Sequence, residues 1–281
     1  MMPASNLTAA PGPIGVFDSG YGGLTVLSQI RALMPQLDYI YLGDNARAPY
    51  GNRSFELVYE FTRQAVERLF ALGCHLVILA CNTASAKALR TIQQRDLPLI
   101  DPNRRVLGVI RPTAECIGSF THTRHVGILA TPGTIRSHTY KLEIAKLYPD
   151  IHVEGEACPM WVPLVENREF DSPGADYFVK QHINRLLHTD PLIDTIILGC
   201  THYPLLLQKI RQFTPPGIHL IPQGQYVASS LQTYLHRHPE MMSRITQNAT
   251  IRFLTTEHPA SFAQSASIFL SHPVTAEHIS L

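Results

Sequence analysis

Leu76-Val-Ile-Leu-Ala-Cys81-Asn-Thr83 and Thr195-Ile-Ile-Leu-Gly-Cys200-Thr-His202 follow one local plan. In each, a short apolar run passes through one small residue to a cysteine, and polar residues follow. A run that short and that apolar reads as a strand buried on both faces of a parallel sheet. The cysteine then falls at the strand's carboxyl end, where a helix is expected to begin. A weaker echo lies upstream of each: Gly15-Val-Phe-Asp-Ser-Gly20 resembles Gly127-Ile-Leu-Ala-Thr-Pro132. The two echoes are separated by nearly the same length of chain. Two similar α/β lobes are the expectation, each a mostly parallel sheet flanked by helices and related by a pseudo-two-fold with the active site between them.

Working outward, strands are expected at 14–18, 39–42, 76–80, 106–110, 125–130, 152–156, 195–198, 217–221 and 251–254. Helices are expected over 23–34, 83–94, 134–147, 174–188 and 204–212, and over 54–72 with Ser54 as cap and Gly73 as stop. The first lobe would take residues 1–109 and 221–281, the second 110–220. With 281 residues, 45% of them hydrophobic, the chain can bury a core in each.

Charge is almost balanced, 23 Lys+Arg against 22 Asp+Glu. That leaves no electrostatic footprint for nucleic acid or an anionic membrane. No run approaches the roughly 20 apolar residues of a membrane span, and residues 1–13 lack the pattern of a signal peptide. Five cysteines without a CxxC pair argue against a disulfide framework or zinc knuckle, and the 14 histidines show no metal-ligand spacing. A cytoplasmic protein with free thiols and no metal is expected. Cys74, Cys116 and Cys158 have no counterpart in the other half and read as filler.

Open parallel sheets bind ligands at the carboxyl ends of their strands. Two lobes facing each other there would bring Cys81 and Cys200 to one cleft from opposite sides. Inverting an α-carbon needs a proton removed from one face and another delivered to the other, which two opposed acid/base groups can do. Cysteine suits both roles, since its ordinary pKa of about 8.5 falls beside a helix N-terminus or a cation. The halves differ in their helpers: Asp18 stands where the second half has Ala130, and His202 where the first has Thr83. A protonated His202 would favour the Cys200 thiolate, whereas Asp18 is better suited to accept a proton or to meet a substrate ammonium. Ser19, Asn82, Thr83, Thr131, Thr134 and Thr201 fall at strand-to-helix turns, where a small dicarboxylic ligand could be gripped. The glycines of Asp18-Ser-Gly-Tyr-Gly-Gly23 lack the spacing of a dinucleotide site. No lysine stands in a setting for pyridoxal phosphate, and Lys87 reads as an exposed helix residue.

Four motifs in order carry a resemblance: Phe17-Asp-Ser-Gly-Tyr-Gly-Gly23, Gly43-Asp-Asn-Ala-Arg-Ala-Pro-Tyr-Gly51, Ala80-Cys-Asn-Thr-Ala84 and Gly199-Cys-Thr-His-Tyr-Pro204. Together they resemble the glutamate racemases. The resemblance implies cofactor-independent interconversion of L- and D-glutamate, supplying D-glutamate for peptidoglycan. It implies that Cys81 acts on D-glutamate and Cys200 on L-glutamate, assisted by Asp18, His202 and Glu166. The last lies in Cys158-Pro-Met-Trp-Val-Pro-Leu-Val-Glu166. Ser19, Pro49, Tyr50, Gly51, Asn82, Thr83, Thr131, Thr134 and Thr201 match substrate-binding positions. A homodimer is implied too. The leader before Ile14 resembles that of members activated by a cell-wall precursor. Departures are Ile221-Pro-Gln-Gly224, where the family often reads Ile-Asp-Ser/Pro-Gly, and the stretch from about Thr255, which matches nothing recognisable. The alternatives are an aspartate or hydantoin racemase on the same plan, a dithiol redox protein, and a non-catalytic two-lobed binding protein.

Overall fold

A computed structural model of the chain describes residues 10–281. Positions 1–9, and with them most of the leader before Ile14, lie outside the described residues. Ten strands form two sheets. The first has six strands in the order β10-β9-β2-β1-β3-β4, and the second has four in the order β6-β5-β7-β8. Their ranges are β1 Ile14–Asp18, β2 Tyr39–Gly43, β3 Leu76–Leu79, β4 Arg105–Gly108 and β5 His125–Ala130. They continue with β6 His152–Ala157, β7 Thr195–Gly199, β8 His219–Pro222, β9 Ile251–Thr255 and β10 Glu277–His278. Every strand pairing within the sheets is parallel.

The central strands are those with uninterrupted apolar runs. β1, β2, β3 and β7 are buried at every position, as strands covered by helices on both faces must be. The echo has a structural counterpart. β1 pairs with β3, with Phe17 opposite Leu79, and β5 pairs with β7, with Ala130 opposite Gly199. Each cysteine therefore emerges beside the end of a strand that runs into a hydroxyl residue, Ser19 after β1 or Thr131 after β5.

Several expectations need correction. The strand expected over 106–110 ends at Gly108, and Ile110 opens a helix, Ile110–Cys116, that carries the chain into the second sheet. Pro112 does not oppose this, because the first turn of a helix has no need of its N–H. The helix expected over 83–94 is broken into Asn82–Lys87, Leu89–Thr91, a wide π turn at Ile92–Asp96, and Leu97–Ile100. The one over 134–147 is split into Pro132–Arg136 and Thr139–Leu147 by His138, whose φ of 54° is left-handed. Helices Gly224–Arg237 and Pro259–Leu270 were not anticipated. Gly224–Arg237 presents Val227, Ala228, Leu231 and Leu235 to the core, where they join Leu24, Leu27 and Ile30 of helix Gly23–Leu33. Strand β10 has only two residues, both exposed; it pairs with β9 at the sheet edge, where Arg252 and Glu277 form an ion pair. Among the described residues no helix is long and apolar enough to cross a membrane.

A carboxylate fastens the C-terminal part of the chain to the first sheet. Asp38, just before β2, accepts hydrogen bonds from the Asn248 backbone at 3.1 Å and its side chain at 2.7 Å. It also accepts from the Thr250 backbone at 2.8 Å and hydroxyl at 2.7 Å. Burial alone would raise its pKa. The hydrogen bonds of Thr246, Thr250 and Asn248 override it and hold the carboxyl well below the usual range. A depressed folded-state pKa contributes stability above the unfolded value and loses it as pH falls toward the folded one. In Asp38→Ala the orphaned donors are expected to cost about 2 kcal/mol or more at pH 7. By urea unfolding, the gap from the parent protein should stay constant from pH 8 to 5 and narrow below about pH 4. No gap at neutral pH, or a gap unchanged by acid, would contradict this clasp.

Candidate active site

Cys81 follows β3 and Ala80 and caps helix Asn82–Lys87. Its sulfur accepts from the Ala84 amide at 3.4 Å, and its thiol donates to Ser19 Oγ at 3.5 Å. Cys200 follows β7 without an α-helix behind it. A turn at Thr201–His202 and a 3-10 segment, Tyr203–Leu206, intervene before helix Leu207–Phe213. The expectation that a helix begins at Cys200 is thus corrected. What that sulfur has instead is a cation source, His202 Nδ1 at 3.8 Å. Each cysteine is 6% exposed, and neither is in a disulfide.

The two thiols stand in different fields. Burial pushes the Cys81 thiol up to about 12, and the nearby Asp18 carboxylate adds to the rise. On the other side His202 Nε2 lies 3.0 Å from Glu166 Oε1, at the end of helix Trp161–Glu166. Burial would by itself drive the His202 ring toward neutrality. Its hydrogen bonds to Cys200 and Glu166 prevail and bring its pKa up to about 10. The ring is thus biased toward the imidazolium form, with Cys200 at one nitrogen and Glu166 at the other. Asp18, fully buried at the end of β1, accepts from the Gly20 amide at 2.8 Å and from Thr201 Oγ1 at 3.4 Å. Burial lifts its carboxyl above the usual range, with His202 and the amides of Gly20 and Gly23 pulling the other way.

The two sheets meet closely here. A Cβ on Gly22 would lie 2.3 Å from Thr201 Oγ1 and 2.4 Å from His202 Nδ1, so only glycine admits the second sheet's turn. Thr25 Oγ1 donates to the Thr201 carbonyl across the same seam at 2.9 Å. Opposite, Thr83 Oγ1 lies 3.0 Å from Thr131 Oγ1, which lies 3.1 Å from Thr134 Oγ1. The loop before helix Phe55–Ala71 closes a third side. Tyr50 donates to the buried Asp44, and the Gly133 amide donates to the Gly51 carbonyl at 2.7 Å. Lys87, expected to be exposed, is only 7% so. Its Nζ donates to the Arg53 carbonyl at 2.7 Å and so fixes that loop. Satisfying a backbone acceptor is what makes a buried ammonium tolerable there.

These elements enclose a cavity of about 50 Å³. Cys81, Cys200, Ser19, Pro49, Tyr50, Gly51, Asn82, Thr83, Thr131, Thr201, His202 and Glu166 all line it. Asp18 and Thr134 stand one layer behind, reaching it through Thr201 and through the Thr83 and Thr131 hydroxyls. That volume holds one or two waters and falls short of an amino acid, so a ligand enters only if the walls part. Asn52, Pro132, Cys158, Pro159, Val162 and Pro163 also line it and were not foreseen. Cys158, read as filler, directly follows β6, the strand-end position that singled out Cys81 and Cys200. A larger cavity of about 630 Å³, bordered by Lys87, Arg90, Arg111, Glu143 and Tyr234, contains neither Cys81 nor Cys200.

Comparison with known proteins agrees with this arrangement. The Asp/Glu/Hydantoin racemase family matches residues 24–229. The glutamate racemase of Paracoccus denitrificans is 42% identical over 274 residues, covering 94% of this chain and 98% of the relative. Glutamate racemase isoform RacE1 from Bacillus anthracis superposes with a TM-score of 0.87 at 35% identity, covering 96% of this chain and 98% of that one. Escherichia coli glutamate racemase, solved in complex with L-glutamate and activator UDP-MurNAc-Ala, gives 0.73 at 29% identity, covering 93% and 95%. The chain therefore belongs to the Asp/Glu/hydantoin racemase family and, within it, to the glutamate racemases.

Proposed function

We propose that this enzyme interconverts L- and D-glutamate by a two-base mechanism without cofactor. The observation that carries the reading is that Cys81 and Cys200, delivered by different sheets, line one small cavity as free thiols. One sulfur, as thiolate, takes the α-proton and becomes a thiol. The other, as thiol, gives its proton to the opposite face of the same carbon and becomes a thiolate. Product leaves with one proton gained for one lost, and the pair is reset by the reverse reaction or by exchange with solvent. Cys200, with the His202 imidazolium against it, takes the base role toward L-glutamate. Cys81, whose thiol is favoured by burial and by Asp18, delivers the proton. Glu166 keeps His202 charged and oriented.

The hydroxyls of Ser19, Thr83, Thr131 and Thr201 and the amide of Asn82 supply neutral donors and acceptors for a ligand with two carboxylates and one ammonium. The cellular role we assign is supply of D-glutamate for peptidoglycan in the cytoplasm. A homodimer is proposed from the resemblance. A cell-wall precursor as activator is proposed by likeness to the Escherichia coli enzyme.

The deciding experiment is circular-dichroism turnover of L- and D-glutamate, with aspartate in parallel and no added cofactor. Turnover of glutamate only is expected; turnover of aspartate only would move the assignment to an aspartate racemase. Cys81→Ala and Cys200→Ala should each lose on the order of 10²–10⁴-fold in rate with far-UV spectra unchanged. Near-native rates in either variant would demand a one-base route. Because each thiol has its own helper, Asp18→Asn should reduce kcat unequally in the two directions. Equal losses would remove the division of labour.

A further inference from the structure

Behind the cysteines lies a closed ring of hydrogen bonds that joins both sheets and both crossovers between them. Asn82 Nδ2 donates to Gln223 Oε1 at 2.7 Å. Gln223 Nε2 donates to the Tyr140 hydroxyl at 2.5 Å, and that hydroxyl donates to Asn82 Oδ1 at 2.6 Å. All three residues are buried, Gln223 to 4% exposure. Gln223 stands at the chain's return from β8 to helix Gly224–Arg237. Its second N–H is shared between the Val109 carbonyl at 3.2 Å, at the outward crossover after β4, and Thr113 Oγ1 at 3.0 Å.

The Val109 contact sets the sense of the whole ring. A carbonyl oxygen can only accept, so Gln223 must turn its amide nitrogen toward Val109 and Tyr140. Its oxygen is then left for Asn82, which must answer with nitrogen. The Asn82 oxygen is in turn committed to the Tyr140 hydroxyl. Flipping Gln223 would set oxygen against the Val109 carbonyl and nitrogen against the Asn82 nitrogen, and flipping Asn82 would set its oxygen against that of Gln223, each with the penalty of buried unpaired groups. Asn82 lines the cleft immediately after Cys81, and the ring turns its oxygen toward the Tyr140 hydroxyl and takes one of its two N–H bonds. What remains for a ligand is an N–H donor.

Resting on the racemase reading above, we propose that Gln223 is a positioning residue. Through Tyr140 it fixes Asn82 so that a donor, never an acceptor, faces the substrate, which selects a carboxylate oxygen and rejects an ammonium at that point. Gln223 thus deepens the substrate reading at the position where the chain departs from the more frequent family pattern. It also ties the two crossovers to the turn that carries Cys81.

Two near-isosteric variants test it. Gln223→Glu removes the donors to Val109 and Tyr140, and Tyr140→Phe removes the hydroxyl that holds the Asn82 oxygen. KM for both enantiomers should rise roughly tenfold or more in each, with kcat within about threefold of the parent, because an interaction common to ground and transition states is lost. In an Asn82→Ala background, Tyr140→Phe should add little further to KM. A packing role alone would lower the thermal midpoint and leave KM in place, whereas an effect on KM independent of Asn82 would add in full to that of Asn82→Ala. Should Gln223→Glu not fold, Tyr140→Phe and its combination with Asn82→Ala decide. KM within about twofold of the parent, or full additivity, overturns the proposal while parent turnover keeps the racemase reading intact. No glutamate turnover by the parent protein overturns both.

Discussion

Two buried parallel strands, β3 and β7, end at the same gap, and each can end there only because its neighbour, β1 or β5, ends beside it. Parallel pairing puts all the strand ends of a sheet on one edge. A residue placed just beyond β3 is therefore held by the core of its whole sheet rather than by a loop. Facing the two edges across a seam tight enough to require Gly22 leaves a narrow space with a thiol from each side. Nearly everything else in the site serves that seam. The Thr25–Thr201 bond, the Gly51–Gly133 bond and the Thr83–Thr131–Thr134 hydroxyls all join one sheet to the other.

Within this near-symmetric frame the electrostatics are not symmetric. One thiol is buried and lies near a carboxylate, and both favour its protonated form. The other lies against the His202 ring, which its contacts with Cys200 and Glu166 hold toward the charged form. The two-base exchange proposed for this site needs such unlike partners, since one group must take a proton while the other has one to give. The ring through Gln223, Tyr140 and Asn82 adds a fixed dipole beside the same gap, and its sense is set by the backbone carbonyl of Val109.

What could be read in the chain beforehand follows from what burial demands. Strands covered on both faces must be apolar throughout, so β1, β3, β5 and β7 stood out, and with them Cys81, Cys200, Asp18 and Ser19. Polar residues that are buried because a partner satisfies them carry no such mark. Lys87 looks like any helix lysine until the Arg53 carbonyl is seen to receive it. Gln223 looked like a departure from a pattern until its partners came from three other elements. Glu166 and the Pro49–Gly51 loop entered through the family resemblance alone, since a turn and an acid at a helix end have no distinctive spacing. β10 escaped notice because two exposed residues at an edge carry no hydrophobic signal. Cys158 was legible by the same strand-end logic as its fellows and was passed over for lack of a counterpart.

Isotope exchange reveals whether two separate sulfur atoms serve opposite faces of one α-carbon, as proposed. Each glutamate enantiomer is incubated with enzyme in D2O and examined at low conversion. Two bases that do not trade protons predict deuterium at the α-carbon of the product and almost none in recovered substrate. Substrate labelled as heavily as product at early times would mean that one group serves both faces, and the account would fail.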